Sequence, residues 1–293
     1  SMQWKKIELV VPEKAVDIVS LLLWECGTGG FVIHDEVTGG TVSLDVYIPH
    51  EKAETSLAGI YRRLDALWRD NLGWPLYQLT CNGPVDDDWL YEWQKFFHAA
   101  DVTERFTVVP AWEEIKEKAD KIVLRIDPGT SFGSGLHATT CMCLGAVEKH
   151  VRPGDTVIDI GTGTGILAIG AAKCGAAVVR AVDLDEAAVG RAVINAKLND
   201  VGETVIAAQS DLLSNVDESA QQADVIVGNL VTEAILKVLS VVCDYLKAGG
   251  IFIGSGIIDE RIDEVRLAAK ERGLTMIEEE LRDGWYAVTM RRD

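Results

Sequence analysis

Three glycines at alternate positions and one distant aspartate have the spacing of a small-molecule site. Gly161, Gly163 and Gly165 follow the short run VIDI, and Asp183 ends a second run, VVRAVD. This pattern predicts a strand, a glycine turn that lets a ligand approach the backbone, and then a helix. An acidic residue at the end of the next strand is suited to accept hydrogen bonds from ribose hydroxyls.

The spacing of the glycines indicates which ligand the turn would hold. A dinucleotide fingerprint reads G-x-G-x-x-G/A, with a pyrophosphate at the helix N-terminus. In this chain the third glycine comes one residue earlier, and Ile166 follows it. The turn therefore favours a nucleoside ligand without phosphates, and the expected cofactor is S-adenosylmethionine. Gly161, Gly163 and Asp183 are its expected contacts.

Two further aspartates lie beside this motif. Asp159 stands inside the first predicted strand. Bonding the backbone amides of the turn is at least as good an interpretation for it as contact with the ligand. Asp185 directly precedes a predicted helix, so its carboxylate is placed to cap the first turn of that helix.

A polar segment at residues 127–140, DPGTSFGSGLHATT, predicts a loop that leads into a helix. Thr139 or Thr140 would cap this helix and present a hydroxyl to the carboxylate of the cofactor, which favours a helix N-terminus. His137 would act as a base, since histidine titrates near neutrality, or as a hydrogen-bonding strut. The strut is the commoner role of a single loop histidine.

Asn229 ends the predicted strand in the run VIVGNLV. Ligands of open α/β sheets bind beyond the carboxyl ends of the strands, so Asn229 is expected to share a rim with Gly161 and Asp183. Methyltransferases that act on planar nitrogens place a proline and an aromatic residue after this asparagine. Leu230 and Val231 stand there instead, which favours an sp3 amine as the acceptor. The side-chain or backbone carbonyl of Asn229 is the candidate group for orienting that amine.

The elements that must position these residues alternate from residue 121 onward. The predicted strands are Thr156–Ile160, Val178–Asp183, Val225–Asn229 and Ile251–Gly254, and the predicted helices are Ile166–Cys174, Glu186–Asn199, Thr232–Leu246 and Ile262–Arg272. This alternation predicts an α/β fold with a doubly wound sheet. The last two predicted strands, Leu274–Arg282 and Trp285–Arg291, flank the hairpin signal Asp283-Gly284. A terminal antiparallel hairpin on a doubly wound sheet is typical of class I S-adenosylmethionine-dependent methyltransferases.

The N-terminal part has a different pattern. Residues 1–85 read as β-α-β-β-α-β, which predicts a small α+β, ferredoxin-like domain. It contains no set of residues whose types and spacing indicate catalysis, and it is interpreted as a docking module or a structural appendage. Residues 86–120 form an aromatic-rich linker, in which Trp89–Phe97 is expected to be a helix that packs aromatic rings between domains. The methyltransferase domain is expected at residues 121–293.

Composition limits the partners. The net charge is −18, and both the first hundred residues and the rest are acidic. Such a charge disfavours direct nucleic acid binding and would attract a basic protein, although solubility alone could also explain it. The chain has neither an apolar run of about 20 residues, as a membrane span requires, nor a signal-peptide pattern, which predicts a cytoplasmic protein without a membrane partner. The six cysteines lack metal-ligand spacing and are expected to be reduced thiols, with no metal site.

Several segments resemble the PrmA family, bacterial methyltransferases of ribosomal protein L11. They include Asp88-Trp89 through Phe97-His98, Val108 to Trp112, the DPG…FGSG.H.TT segment, DIGTGTGILAIGAAK, the Asn195-Ala196…Asn199 stretch, Gly254 to Ile257 and Gly284-Trp285. The resemblance implies an N-terminal domain that grips the substrate protein. It also implies methylation of the substrate's N-terminal α-amine and lysine ε-amines. The cofactor contacts that it implies are Thr140, Gly161, Asp183 and Asn229, with Phe132 and Gly163 as neighbours.

The expected activity is therefore S-adenosylmethionine-dependent methylation of amines on a basic ribosomal protein by a monomeric enzyme. One alternative is a methyltransferase of the same fold that acts on another protein or a small molecule. An alternative of another class is a non-catalytic scaffold that binds the cofactor. The intact glycine turn, polar loop and Asn229 count against the scaffold.

Overall fold

The computed structural model of the protein describes residues 4–28, 30–38, 40–71, 73–81, 99–114, 120–127, 131–132, 138–217, 222–282 and 284–293. The chain divides into two compact units. The first unit holds the described residues of 1–98 and 128–137, and the second holds those of 99–127 and 138–293. The predicted aromatic helix Trp89–Phe97 lies outside the described residues, whereas residues 99–114 of the expected linker are part of the second unit.

The first unit is built on an antiparallel sheet with the order β2-β3-β1-β4-β8. Its elements are β1 (Trp4–Pro12), α1 (Val16–Glu25), β2 (Gly30–Thr38), β3 (Thr41–Pro49), α2 (Ala53–Asp70), β4 (Gln78–Cys81) and β8 (Ser131–Phe132). The first four strands and the two helices have the ferredoxin-like order, so this prediction is confirmed. Strand β8 was not predicted, since its two residues lie within the segment interpreted as a loop.

Alternation explains how the strands of this unit bury one face. Ile7, Leu9 and Val11 of β1 are fully buried, and the residues between them are partly exposed. Helices α1 and α2 cover this face with apolar side chains at helical spacing, among them Val19, Leu22, Leu23, Leu57, Ile60 and Leu64.

The second unit contains a seven-stranded sheet with the order β11-β10-β9-β12-β13-β15-β14 and a small sheet β5-β6-β7. Its elements are β5 (Ala100–Asp101), β6 (Phe106–Pro110), β7 (Ile122–Ile126), α3 (Ala138–His150), β9 (Thr156–Ile160), α4 (Ile166–Lys173), β10 (Val178–Asp183), α5 (Glu186–Leu198), β11 (Val205–Gln209), β12 (Ala223–Asn229), α6 (Thr232–Leu239), β13 (Leu246–Ile258), α7 (Ile262–Glu271), β14 (Leu274–Arg282) and β15 (Trp285–Arg292).

Strands β9 to β13 of the large sheet are parallel, and β15 is inserted between β13 and β14 and pairs antiparallel with both. The predicted doubly wound sheet with a terminal antiparallel hairpin is therefore confirmed. Apolar clusters cover both of its faces, one with α3 and α4 and the other with α6 and α7. The carboxyl ends of β9, β10 and β12 lie at one edge, where Gly161, Asp183 and Asn229 follow or end the strands.

Some predicted elements differ from those observed. Strand β11 was missed because it is an edge strand whose residues, apart from Val205, are partly or fully exposed. Helix α6 ends at Leu239, whereas the periodicity predicted Leu246. The Ser240 hydroxyl donates to the Lys237 carbonyl at 2.6 Å and so competes with continuation of the helix.

Candidate active site

The glycine turn connects β9 to α4 through left-handed backbone. The φ angles of Gly161, Gly163 and Gly165 are 69°, 55° and 86°, a region that other residues rarely adopt. Close packing explains why two of these positions have no side chain. A Cβ at Gly161 would lie 2.7 Å from Cδ2 of Leu230, and a Cβ at Gly165 would lie 3.1 Å from Cα of Ala192 in α5. Among the described residues, nothing lies within 4 Å of a Cβ built at Gly163, so the turn borders open space there.

Asp183 holds this turn from the end of β10. Its Oδ2 accepts a hydrogen bond from the amide of Gly163 at 2.9 Å, and its Oδ1 accepts one from the amide of Asp185 at 3.0 Å. Each carboxylate oxygen retains a second lone pair for a ligand. Asp185 accepts from the Ala187 amide at 3.0 Å and caps α5, as predicted.

Asp159 is completely buried beneath the turn. Its Oδ2 accepts from the Thr162 hydroxyl at 2.7 Å and from the Ala168 amide at 3.1 Å, while its Oδ1 has no hydrogen-bond partner among the described residues. Burial and, to a smaller extent, the charge of Asp183 raise the pKa of this carboxyl to about 7, although its two hydrogen bonds lower it. The contacts support a structural role for Asp159, which binds the turn to α4.

Asn229 and Thr140 meet although 89 positions separate them in the chain. The Nδ2 group of Asn229, at the end of β12, donates to the Thr140 hydroxyl of α3 at 3.1 Å. Helix α3 begins at Ala138 and includes Thr139 and Thr140, so the prediction that one of them caps it is wrong. Thr139 is completely buried, and Thr140 faces Asn229 instead.

Leu230 has a positioning role that the sequence did not reveal. Its side chain occupies the space that Cβ atoms at Gly161 and Gly228 would need. Its amide donates to the Ser255 carbonyl at 2.9 Å, and its own carbonyl lies 1.5 Å from where a Cβ of Gly256 would be. Gly256, at φ 93°, therefore permits β13 to approach the chain just after Asn229. The available signal was the run Gly254-Ser255-Gly256 inside a strand, which is typical of a bulge.

The structure brings together five of the six predicted cofactor residues in the second unit, namely Thr140, Gly161, Gly163, Asp183 and Asn229. Phe132 belongs to the first unit, where its backbone in β8 pairs with Leu79 of β4. His137 lies outside the described residues.

These residues fit S-adenosylmethionine. The glycine turn borders open space beside Gly163, as a ligand against the backbone requires. The Asp183 carboxylate, at the end of the neighbouring strand, is the acceptor that a ribose diol requires. The described residues contain no cluster of three or more metal-ligating side chains. None of the helices in the described ranges is long and apolar enough to cross a membrane.

The sheet order, the glycine turn after β9 and the acidic residue at the end of β10 define a class I S-adenosylmethionine-dependent methyltransferase. Comparison with known proteins identifies the family. The family model described as ribosomal protein L11 methyltransferase (PrmA) matches residues 3–293. The chain therefore belongs to the PrmA family of S-adenosylmethionine-dependent methyltransferases, and the predicted resemblance is confirmed.

Individual relatives agree with this assignment. The chain is 37% identical to the ribosomal protein L11 methyltransferase of Geobacillus thermodenitrificans, with 98% of both chains covered. It is 35% identical to that of Anoxybacillus flavithermus, with 99% of this chain and 100% of the relative covered. The crystal structure of ribosomal protein L11 methylase from Lactobacillus delbrueckii subsp. bulgaricus matches with a TM-score of 0.62 and 29% identity, covering 68% of this chain and 99% of that chain.

Proposed function

We propose that this enzyme transfers methyl groups from S-adenosylmethionine to the N-terminal α-amine and lysine ε-amines of ribosomal protein L11. The substrate assignment depends on the family match over residues 3–293. Relatives named ribosomal protein L11 methyltransferase, which align along nearly the whole chain, support it. The absence of a proline and an aromatic residue after Asn229 supports an sp3 amine rather than a planar nitrogen as the acceptor.

We further propose that Thr140, Gly161, Gly163, Asp183 and Asn229 of the second unit hold the cofactor. The Asp183 carboxylate would bind the ribose, and the glycine turn would let the ligand lie against the backbone. When bound there, S-adenosylmethionine would supply an electrophilic methyl group for transfer to a neutral amine.

The residues of this chain act by positioning the amine. Only a neutral amine is nucleophilic, and an α-amine with a pKa of about 8 loses its proton more readily than a lysine at about 10.4. Removal of the amine from water favours the neutral form further. The Asn229 side chain is fixed by its bond to Thr140 and offers Oδ1 as an acceptor for an amine hydrogen. Asn229 is thus the proposed orienting residue, and catalysis rests on orientation and desolvation.

Methyl transfer to ribosomal proteins tests the proposal directly. Ribosomes from a strain that lacks this enzyme would be incubated with it and with radiolabelled S-adenosylmethionine. We expect the label in L11 alone, at its N-terminus and lysines. Label in another protein or in a small molecule would overturn the substrate assignment. Cofactor binding without any transfer would identify a scaffold.

The first unit is proposed as the substrate-recognition domain, with the methyltransferase chemistry in the second. One face of α1 exposes Ile18, Leu21 and Trp24, of which Trp24 is 72% exposed. Exposed apolar side chains of this kind mark interaction surfaces when they are contiguous. We expect Trp24→Ala to raise KM for L11 without changing affinity for S-adenosylhomocysteine. The matched control is Leu267→Ala, which removes an exposed apolar side chain from α7 of the second unit. Equal KM values for the two variants would contradict this role.

We propose that the enzyme acts in the cytoplasm as a monomer, on a basic protein and without direct contact to nucleic acid or a membrane. The net charge of −18 supports the choice of a basic partner. Light scattering coupled to size-exclusion chromatography should give the mass of one chain. A dimer at micromolar concentration would contradict the monomer.

A further inference from the structure

Helix α5 contains Asn195 and ends at the C-cap residue Asn199, and both asparagines lie in an unusual environment. Asn195 is completely buried and Asn199 is 4% exposed, one helical turn apart. Asparagine is a weak helix former, and a buried amide costs free energy unless its polar atoms are paired.

Both side-chain amides bind backbone at the end of β7, at Arg125 and at Asp127, the residue that follows the strand, as a neighbouring strand would. Asn199 accepts from the Arg125 amide at 2.8 Å and donates to the Arg125 carbonyl at 2.7 Å. Asn195 accepts from the Asp127 amide at 2.8 Å and donates to the Asp127 carbonyl at 2.9 Å. The geometry matches, because four helical residues rise about 6 Å and two strand residues about 6.6 Å.

Asn195 makes one contact that Asn199 does not make. Its Nδ2 also donates to the carbonyl of Thr164, within the glycine turn, at 2.8 Å. The corresponding second bond of Asn199 goes to the Asn195 carbonyl of the same helix, at 2.8 Å. Asn195 therefore joins the end of β7 to the turn, and Asn199 joins β7 only to α5.

The turn is consequently held at adjacent residues from two elements. Asp183 of β10 accepts from the Gly163 amide, and Asn195 of α5 donates to the Thr164 carbonyl. Arg191, one helical turn before Asn195, reaches Asp127 with an ion pair of 3.1 Å and fixes the same end of β7.

We propose that Asn195 is a positioning residue for the cofactor, which fixes the Thr164 carbonyl and thereby preorganises the glycine turn before the ligand binds. If the turn already has its bound conformation, no binding free energy is lost in ordering the turn, and the affinity for the ligand is higher. The inference rests on the proposed placement of the cofactor at this turn, but it does not depend on the identity of the methyl acceptor.

The pair of asparagines provides its own control. We expect Asn195→Ala to weaken binding of S-adenosylhomocysteine about tenfold by calorimetry, as the loss of one or two net hydrogen bonds would allow, and Asn199→Ala to change it less than about threefold. Both variants should lower the melting temperature, because each unpairs backbone groups of β7. In steady-state kinetics Asn195→Ala should raise KM for S-adenosylmethionine and leave kcat nearly unchanged.

A measurement without ligand separates positioning from general destabilisation. Hydrogen exchange of the Gly163 and Gly165 amides should accelerate in Asn195→Ala and not in Asn199→Ala. If Asn195→Ala does not fold, Asn195→Asp replaces it, because it keeps the acceptor for the Asp127 amide and loses the donor to the carbonyls of Thr164 and Asp127. Equal affinity losses in the paired variants, or wild-type affinity in Asn195→Asp, would overturn the proposal. If the Asn195 and Asn199 variants differed as expected but the enzyme did not methylate L11, only the substrate assignment would be refuted.

Discussion

The two units bury polar side chains differently. Among the described residues, Thr139, Asp159, Asn195 and Ser255 are the polar residues with no solvent exposure, and all four belong to the second unit. The buried cluster of the first unit is apolar apart from its tryptophan and tyrosine, and the Tyr77 hydroxyl donates to Asp65 at 2.7 Å. The core of the first unit is thus mainly apolar, whereas in the second unit the buried Asp159 and Asn195 hold backbone at the glycine turn and the start of α4. Substitutions in the two units should separate ligand binding from stability.

The largest effect on ligand binding is expected for Asp183→Ala. The change removes the acceptor of the Gly163 amide and the proposed acceptor of the ribose hydroxyls. Two hydrogen bonds to a charged group account for a loss of about a hundredfold or more in affinity. Calorimetric titration with S-adenosylhomocysteine measures this loss. Asp185→Ala is the control, since it removes only a helix cap worth about 1 kcal/mol. Unchanged affinity in Asp183→Ala would refute the ribose assignment.

Alanine at two positions of the turn should separate backbone strain from packing. Both Gly161→Ala and Gly163→Ala place a Cβ on left-handed backbone, at a cost of about 1–2 kcal/mol each. Only Gly161→Ala also forces the Leu230 side chain to move, which adds about 1–3 kcal/mol. Gly161→Ala should therefore unfold at lower denaturant concentration than Gly163→Ala, while both bind S-adenosylhomocysteine poorly. Equal midpoints would mean that Leu230 moves aside freely.

In the first unit, Tyr77→Phe should lower stability and leave ligand binding unchanged. The substitution leaves Asp65 half-buried without its tyrosine donor, for a loss of about 1–3 kcal/mol. Hydrogen exchange read by mass spectrometry should show faster opening in peptides of the first unit. The counterpart is Tyr245→Phe, which removes a 3.2 Å bond to the Leu213 carbonyl in the second unit. A weakened affinity for S-adenosylhomocysteine in Tyr77→Phe would contradict this separation.

The difference between the units also bears on what the sequence could predict. Local sequence patterns were sufficient to predict features formed by residues that lie near one another in the chain. These features are β9, the glycine turn, Asp183 at the end of β10, and the helix cap at Asp185. The terminal hairpin was predictable because Gly284, at φ 80°, stands in its turn. The contacts of Asn195 were not predictable, because its partner Asp127 lies 68 positions away and a buried asparagine has no pattern of its own. Likewise, only the packing of distant strands shows that Leu230 fills the space left by Gly161 and Gly228.

The smallest expected effect is a change in how stability depends on pH. The folded pKa of Asp159, about 7, lies above the ordinary aspartate value, so the folded state keeps a proton that the unfolded state has released. This group's contribution to the free energy of unfolding therefore falls as the pH rises from about 4 to about 7, and is constant above that range.

Asp159→Asn should flatten this dependence. The variant keeps an oxygen that accepts from the Thr162 hydroxyl and the Ala168 amide, but it buries the unpaired NH₂ of its side-chain amide. Because this amide does not titrate, it lowers stability equally at every pH. Relative to the wild type, the variant should gain stability between pH 5 and pH 8, as measured by urea unfolding. Thr162→Val removes a hydrogen bond that lowers the pKa, so it should move the wild-type dependence to higher pH. If the free energy of unfolding varied with pH in the same way for the wild type and for Asp159→Asn, the pH dependence would originate from other groups. The buried Asp159 carboxyl would then give the second unit no pH-dependent stability of its own.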